Sequence, residues 1–235
     1  MTDNHKKLLL FGGSGQIARE VAAKFSSKNW DVCQVVRTPK TDLPHAISWD
    51  VMCQNNLPDS LKLQAPFDGV CWAQGANLND NIYSFNKASH QILYEANVLF
   101  VLESLSKILE AGLLVKSAKL CIISSVWQEI SRQNKLSYAI SKSALRGLVL
   151  SLANDLAADG YLVNAVLPGA LDTPMTRSNL SDQQIQSIEG ATKFNKLVTL
   201  GDVASTIFFL CSEENTGVTG QFIKVDLGFS DVRNI

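Results

Sequence analysis

The chain has 235 residues, 46% hydrophobic and 18% charged, with a formal net charge of −1. That balance suits a well-cored globular fold and excludes a disordered chain or a basic nucleic-acid surface. No apolar run approaches the ~18 residues of a membrane span, and Leu8 to Phe11 is too short for a signal-peptide core, so a single cytoplasmic domain over 1–235 is expected.

Short apolar runs alternate with longer stretches of helical period, the pattern of βαβ units around a parallel sheet. Strands are expected at Lys7–Phe11, Val32–Val36, Ala46–Ser48, Gly69–Trp72, Lys119–Ile123, Leu162–Val166 and Gln221–Lys224. Helices are expected at Gln16–Ser27, Glu95–Ala111, Ser137–Ala158 and Gly201–Cys211, with a less regular one near Ser181–Glu189. Within Glu95–Ala111, Val98, Leu102, Leu105 and Leu109 recur at three- and four-residue intervals, and Gly112 follows as a C-terminal stop. The fold class is therefore α/β: a three-layer, doubly wound, Rossmann-like parallel sheet with helices on both faces. Five cysteines, Cys33, Cys53, Cys71, Cys121 and Cys211, are odd in number, widely spaced and mostly in apolar runs, which reads as free buried thiols. His5, His45 and His90 form no metal-binding pattern, so no metal is expected.

In a doubly wound sheet ligands bind beyond the carboxyl ends of the strands. Phe11 runs into Gly12-Gly13-Ser14-Gly15, Val36 into Arg37, Trp49 into Asp50, Trp72 into Ala73-Gln74-Gly75, Ile123 into Ser124-Ser125 and Leu167 into Pro168-Gly169. The glycines let a backbone approach a pyrophosphate at a helix N-terminus, although a ligand-free turn has the same composition. Val36 stands where an NAD-specific fold carries an acid for the ribose. Arg37 beside it suits a 2′-phosphate, favouring NADP over NAD; a solvated loop charge is the bland alternative.

Tyr138 and Lys142 lie four apart in an expected helix, hence on one face. An ammonium beside a phenol is expected to lower the phenol's ordinary pKa of ~10, so that it can exchange a proton with an alcohol or a carbonyl oxygen. Ser125 lies thirteen residues upstream of Tyr138, and Ser124 is its rival as the hydroxyl partner.

Taken in order, these residues resemble the short-chain dehydrogenase/reductase family in its single-domain branch, over nearly the whole chain. The resemblance implies an NADP(H)-dependent oxidoreductase that interconverts a ketone and a secondary alcohol, with Asn97, Ser125, Tyr138 and Lys142 as catalytic tetrad. It assigns the cofactor to Gly12, Ser14, Gly15, Gln16, Ile17, Arg37, Asp50, Val51, Ala73, Gln74, Gly75, Tyr138, Lys142, Pro168, Gly169, Leu171 and Thr173. Asp50 and Val51 would meet the adenine, while Pro168-Gly169 and the Thr173-Pro174-Met175 run would meet the nicotinamide end. Trp127 and Gln128 are expected to border the substrate, with Ser181 to Leu197 covering it. Gln16 and Ala18 replace two glycines that many members carry, and Trp72-Ala73 replaces an Asn-Asn pair, which opens the details of cofactor contact.

The look is closest to the 3-oxoacyl-[acyl-carrier-protein] reductases, so a 3-oxoacyl thioester, acyl-carrier-bound, is one candidate substrate. A keto-sugar or another small carbonyl compound is the alternative, and a non-catalytic nucleotide sensor is the rival from outside enzymology. The family's helix pairing across a two-fold axis further implies a homo-oligomer, tetramer or dimer. A sugar epimerase or dehydratase would need a substrate domain for which this length leaves no room.

Overall fold

A computed structural model describes residues 5–173, 176–177 and 180–232. In chain order it comprises β1 (Lys7–Phe11), α1 (Gln16–Ser26), β2 (Asp31–Val36), β3 (Ile47–Ser48), α2 (Asp59–Lys62) and β4 (Phe67–Trp72). Then follow α3 (Lys87–Tyr94), a π-helical turn (Glu95–Leu99), α4 (Phe100–Glu110), β5 (Leu114–Ile123) and α5 (Leu136–Asp155). The chain closes with β6 (Leu162–Pro168), α6 (Asp182–Glu189), α7 (Leu200–Cys211) and β7 (Phe222–Val225). All seven strands are parallel, in the order β3-β2-β1-β4-β5-β6-β7. The order reverses between β1 and β4, which pair with Phe11 opposite Trp72. That switch point is where a doubly wound sheet opens a crevice.

Strand periodicity explains the two cores. Alternate residues point to opposite faces, so Leu9 and Phe11 of β1 enter one apolar layer while Leu8 and Leu10 enter the other. Likewise Val70 and Trp72 face one way and Cys71 the other. The first layer is closed by Val98, Val101, Leu105 and Ile108 from the α4 side and by Leu145, Leu148 and Val149 of α5. Ala18, Val21 and Phe25 of α1 close the second with Val203, Ala204, Ile207 and Phe208 of α7. A strand buried on both faces has no polar side, which is why these runs read as continuous apolar segments.

Three expectations change. The helix expected from Glu95 begins at Lys87, where the Asn86 side chain accepts a hydrogen bond from Ser89 N. Its π turn inserts an extra residue and rotates the face that follows, so Val101 and Ile108 are buried while Leu102 is 42% exposed. Strand β5 starts five residues before the expected Lys119, because Leu114 pairs with Phe67 beyond the apolar run that marks the strand in sequence. The five cysteines are free as expected, but Cys53 is exposed, since it falls in the loop after Asp50.

Candidate active site

The nucleotide-side turn is shaped by backbone. Gly12 has φ +76°, in the left-handed region that favours glycine, and a Cβ there would sit 2.6 Å from Gln74 N. Thus the turn after β1 and the Ala73-Gln74-Gly75 turn after β4 touch through main chain. A Cβ on Gly13 would sit 2.9 Å from Gln34 Cβ, and Gly15 N donates to Gly12 O at 2.9 Å. No side chain caps the N-terminus of α1, so its first N–H groups remain available to an anion. Ser14, Gly15 and Gln16 are exposed there, Ile17 is half-buried, and Arg19 ties the turn down by donating to Ser14 O and pairing with Asp42. Gln16 opens the helix and leaves that backbone geometry untouched.

Arg37, just past β2, is exposed and takes part in none of the described ion pairs. Asp50 accepts from Met52 N, and the buried Val51 uses its carbonyl to receive Lys107 Nζ at 2.9 Å. Trp72, which stands in place of an amide side chain, does not reach the turn. It stacks on Phe11 at 5.8 Å and donates its indole N–H to Ser104 Oγ at 2.8 Å, inside the core. Gln74 carries a buried Oε1 with no hydrogen-bond partner. The close approach at Gly12, the uncapped helix end and this orphan acceptor fit a dinucleotide with donors of its own. On the far side Pro168 ends β6, Gly169 packs on Asp226, and Leu171 bridges to Val198. Thr173 is buried and accepts from Thr176 N. Pro174 and Met175 lie outside the described residues.

At the opposite end of the crevice the site is made of buried side chains. Asn97 lies in the π turn, a distortion frequent at functional sites. Its Oδ1 accepts from Ala76 N at 2.8 Å, and its Nδ2 donates to Ala76 O and to Ser141 Oγ at 2.9 Å, so one amide ties the turn to the loop after β4 and to α5. Lys142 Nζ donates to Ile123 O at 3.0 Å and lies 5.7 Å from the centre of the Tyr138 ring. A Cβ on Gly75 would stand 3.2 Å from Asn97 Oδ1 and 3.7 Å from Lys142 Nζ. Ser125 Oγ accepts from Trp127 N at 3.3 Å, and its side chain lies close enough to Tyr138 to act on the phenol's ionisation. Ser124, its rival, donates instead to Gln128 Oε1 at 2.8 Å.

The electrostatics differ from expectation. Burial pushes the Tyr138 phenol up, and the neighbouring Ser125 side chain only partly opposes it. Burial also brings the Lys142 ammonium down to about 8. Desolvation acts against the charged form of each group, so the phenol stands above its ordinary range and not below it as the spacing suggests. Gln128 is buried with its Nε2 unpartnered, while Trp127 is half-buried, edge-on to Phe229 at 6.3 Å, with Arg132 over its ring.

Sequence reading missed a cluster beside Tyr138. Asp80 accepts from Ser137 N and Ser137 Oγ and so caps α5 from another loop, while Asn77 and Asn79 hold Lys135. Asn77, Asn79, Asp80 and Asn81, interrupted only by Leu78, were the available signal, because such residues cap and turn.

Comparison with known proteins bears on this geometry. Residues 63–230 match a family model described as Enoyl-(Acyl carrier protein) reductase. The chain is 24% identical to an uncharacterized oxidoreductase of Bacillus subtilis, YmfI, over 96% of this chain and 99% of that one. It is 31% identical to the 3-oxoacyl-[acyl-carrier-protein] reductase FabG of Salmonella typhimurium across 58% of this chain and 55% of that relative, little more than half its length. The structure of ElxO with NADP bound superposes with a TM-score of 0.81 at 23% identity, covering 96% of this chain and 98% of that one. Among the described residues no helix is long and apolar enough to cross a membrane. With its parallel seven-stranded sheet and the family match over residues 63–230, the chain belongs to the short-chain dehydrogenase/reductase family of NAD(P)-dependent oxidoreductases.

Proposed function

We propose that this protein, working as one domain over 1–235, is an NADP(H)-dependent oxidoreductase that interconverts a ketone and a secondary alcohol. The observation that carries the reading is the Tyr138 phenol, on whose ionisation the Ser125 side chain acts and whose ring lies 5.7 Å from the Lys142 ammonium. When bound, the nicotinamide supplies or accepts the hydride. Tyr138 gives its proton to the carbonyl oxygen in the reductive direction and recovers it in the oxidative one. Ser125 orients that oxygen by hydrogen bonding. Lys142, held by Ile123 O, carries positive charge at neutral pH and stabilises the phenolate as it forms. Asn97 fixes the loop that brings Gly75 against Lys142, and its Oδ1, which accepts one bond from Ala76 N, keeps a lone pair free to anchor a water.

Gly12 to Ile17 would hold the pyrophosphate, Asp50 and Val51 the adenine, Ala73, Gln74 and Gly75 the middle of the cofactor, and Pro168, Gly169, Leu171 and Thr173 the nicotinamide end. Arg37, exposed and without a described carboxylate partner, supports NADP over NAD. A 3-oxoacyl thioester is the substrate favoured, supported by the segment shared with FabG. The reaction fits a cytoplasmic setting. Exposed Leu99 and Leu102, with Ile140 and Leu150 on α5, support a homo-oligomer; light scattering that finds only a 25.7 kDa species at micromolar concentration ends that part of the reading.

The deciding experiment follows NADPH and NADH absorbance against 3-oxoacyl thioesters, enoyl thioesters, keto-sugars and simple ketones. Carbonyl reduction with NADPH preferred is expected, and Arg37→Asp should erase the preference. Tight NADPH binding with no turnover across the panel would replace this reading with a nucleotide sensor.

A further inference from the structure

Two ammonium groups face Tyr138, and the reaction above uses only Lys142. The other belongs to Lys135, whose Nζ lies 5.2 Å from the centre of the ring. Lys135 sits at the entry of α5 and Lys142 one turn beyond Tyr138, and the two ammonium groups lie over the one ring. Lys135 is a poor choice for the helix itself. It occupies the N-cap position, where a side chain with no acceptor caps nothing and a cation meets the positive end of the helix dipole. The capping is done instead by Asp80, through Ser137 N and Ser137 Oγ.

Lys135 is nevertheless buried and firmly held. Its Nζ donates to Asn77 Oδ1 and to Asn79 Oδ1, each at 2.6 Å. Both acceptors are neutral, and Lys135 is in none of the described ion pairs. The charged groups that act on it are Arg132, which repels it, and Asp80, which attracts it. A buried cation held by amides costs stability relative to an apolar residue, so neither packing nor capping accounts for it. Burial brings the ammonium down to about 8, which leaves it charged at neutral pH.

We propose that Lys135 is a positioning residue for proton transfer: its ammonium, tethered by Asn77 and Asn79, joins Lys142 in stabilising the negative charge on Tyr138 when the phenol releases its proton. The inference rests on the reading of Tyr138 as the proton donor. The O–H bond of Tyr138 breaks, its electron pair stays on the phenolic oxygen, the proton passes to the substrate oxygen, and both ammonium groups keep their protons. Amide tethers suit this task, because they fix the cation without neutralising it, as a carboxylate would.

The test needs neither substrate nor cofactor, so an inactive enzyme counts against the proposed function and not against this inference. A tyrosine fluorinated at all four ring carbons, whose phenol is several units more acidic than that of tyrosine, is placed at 138 so that it ionises below the pH near 8 at which the two ammonium groups lose their protons, and its titration is followed by fluorine NMR without substrate or cofactor. Lys135→Met should raise the phenol pKa by about one unit, a tenfold loss in ionisation constant, and Lys135→Arg should stay near the parent. Lys135→Gln, which keeps a hydrogen-bonding side chain, serves if the Met variant does not fold. If the folded neutral variants titrate within about a quarter of a unit of the parent, the proposal is overturned.

Discussion

The turn after β1 and the corner around Tyr138 lie on the same edge of one sheet but are made of different material. The turn is backbone: a left-handed Gly12 against Gln74 N, and a helix end whose N–H groups no side chain caps. The corner is buried side chains, with Asn97, Ser125, Lys135 and Lys142 each less than a tenth exposed and joined by named hydrogen bonds. A site made of main chain depends on conformation and tolerates changes of side chain, so Gln16, Ala18 and Trp72 can replace other residues without dismantling it. A site made of side chains depends on each functional atom. Substitutions should therefore damage the two regions in different ways.

The largest effect is expected in the corner. Tyr138→Phe deletes one hydroxyl and should lower kcat ~100- to 10,000-fold, with NADPH affinity and melting temperature nearly unchanged. Steady-state kinetics and a binding titration check this, and an equal kcat would remove Tyr138 as the acid.

Gly12→Ala attacks the other material. It places a methyl 2.6 Å from Gln74 N at φ +76°, and such strain costs ~1–3 kcal/mol. NADPH affinity should fall at least ~10-fold along with the melting temperature, read by fluorescence titration and calorimetry. Unimpaired NADPH binding by a folded Gly12→Ala protein would break the comparison.

A smaller signature separates the corner by pH. Lys142 falls from the ordinary 10.5 to about 8, so between those values the unfolded chain holds more protons at this group than the folded one. Its contribution to stability therefore rises with pH across that window and is flat below it. Lys142→Met removes the dependence. The difference in melting temperature between variant and wild type should be greatest, in the variant's favour, below about pH 8 and shrink towards pH 10.5. A difference independent of pH would mean that Lys142 is not desolvated.

The smallest effect belongs to Gln16→Gly, which should shift NADPH affinity less than ~2-fold because the side chain is exposed and the turn is held by backbone. A large change would show that the turn relies on side chains after all.

Much of this was legible in the residues themselves. Period-two alternation in Leu8-Leu9-Leu10-Phe11 feeds two apolar layers, and the alternation of strands and helices specified the parallel sheet. Tyr138 and Lys142 were found because helical spacing alone brings them together. The start of α3 at Lys87 was not, since its apolar face is weak and its cap is a lone asparagine among other polar residues. The π turn was hidden because an inserted residue leaves composition unchanged while rotating every side chain after it.

By itself, then, the sequence determined what local period and chain order control: the strands, their direction, the glycine turn and the Tyr138–Lys142 pair. Only the tertiary structure decided what depends on distant segments meeting. It sent Trp72 inward to Ser104, gave Ser124 to Gln128 and left Ser125 for Tyr138. It also reversed the expected shift of the phenol, because desolvation is set by everything packed around a group and not by its neighbours in sequence. Lys135 belongs here as well: its residue type was always visible, but its two amide tethers come from a loop more than fifty residues away, brought to it by the pairing of β4 with β5.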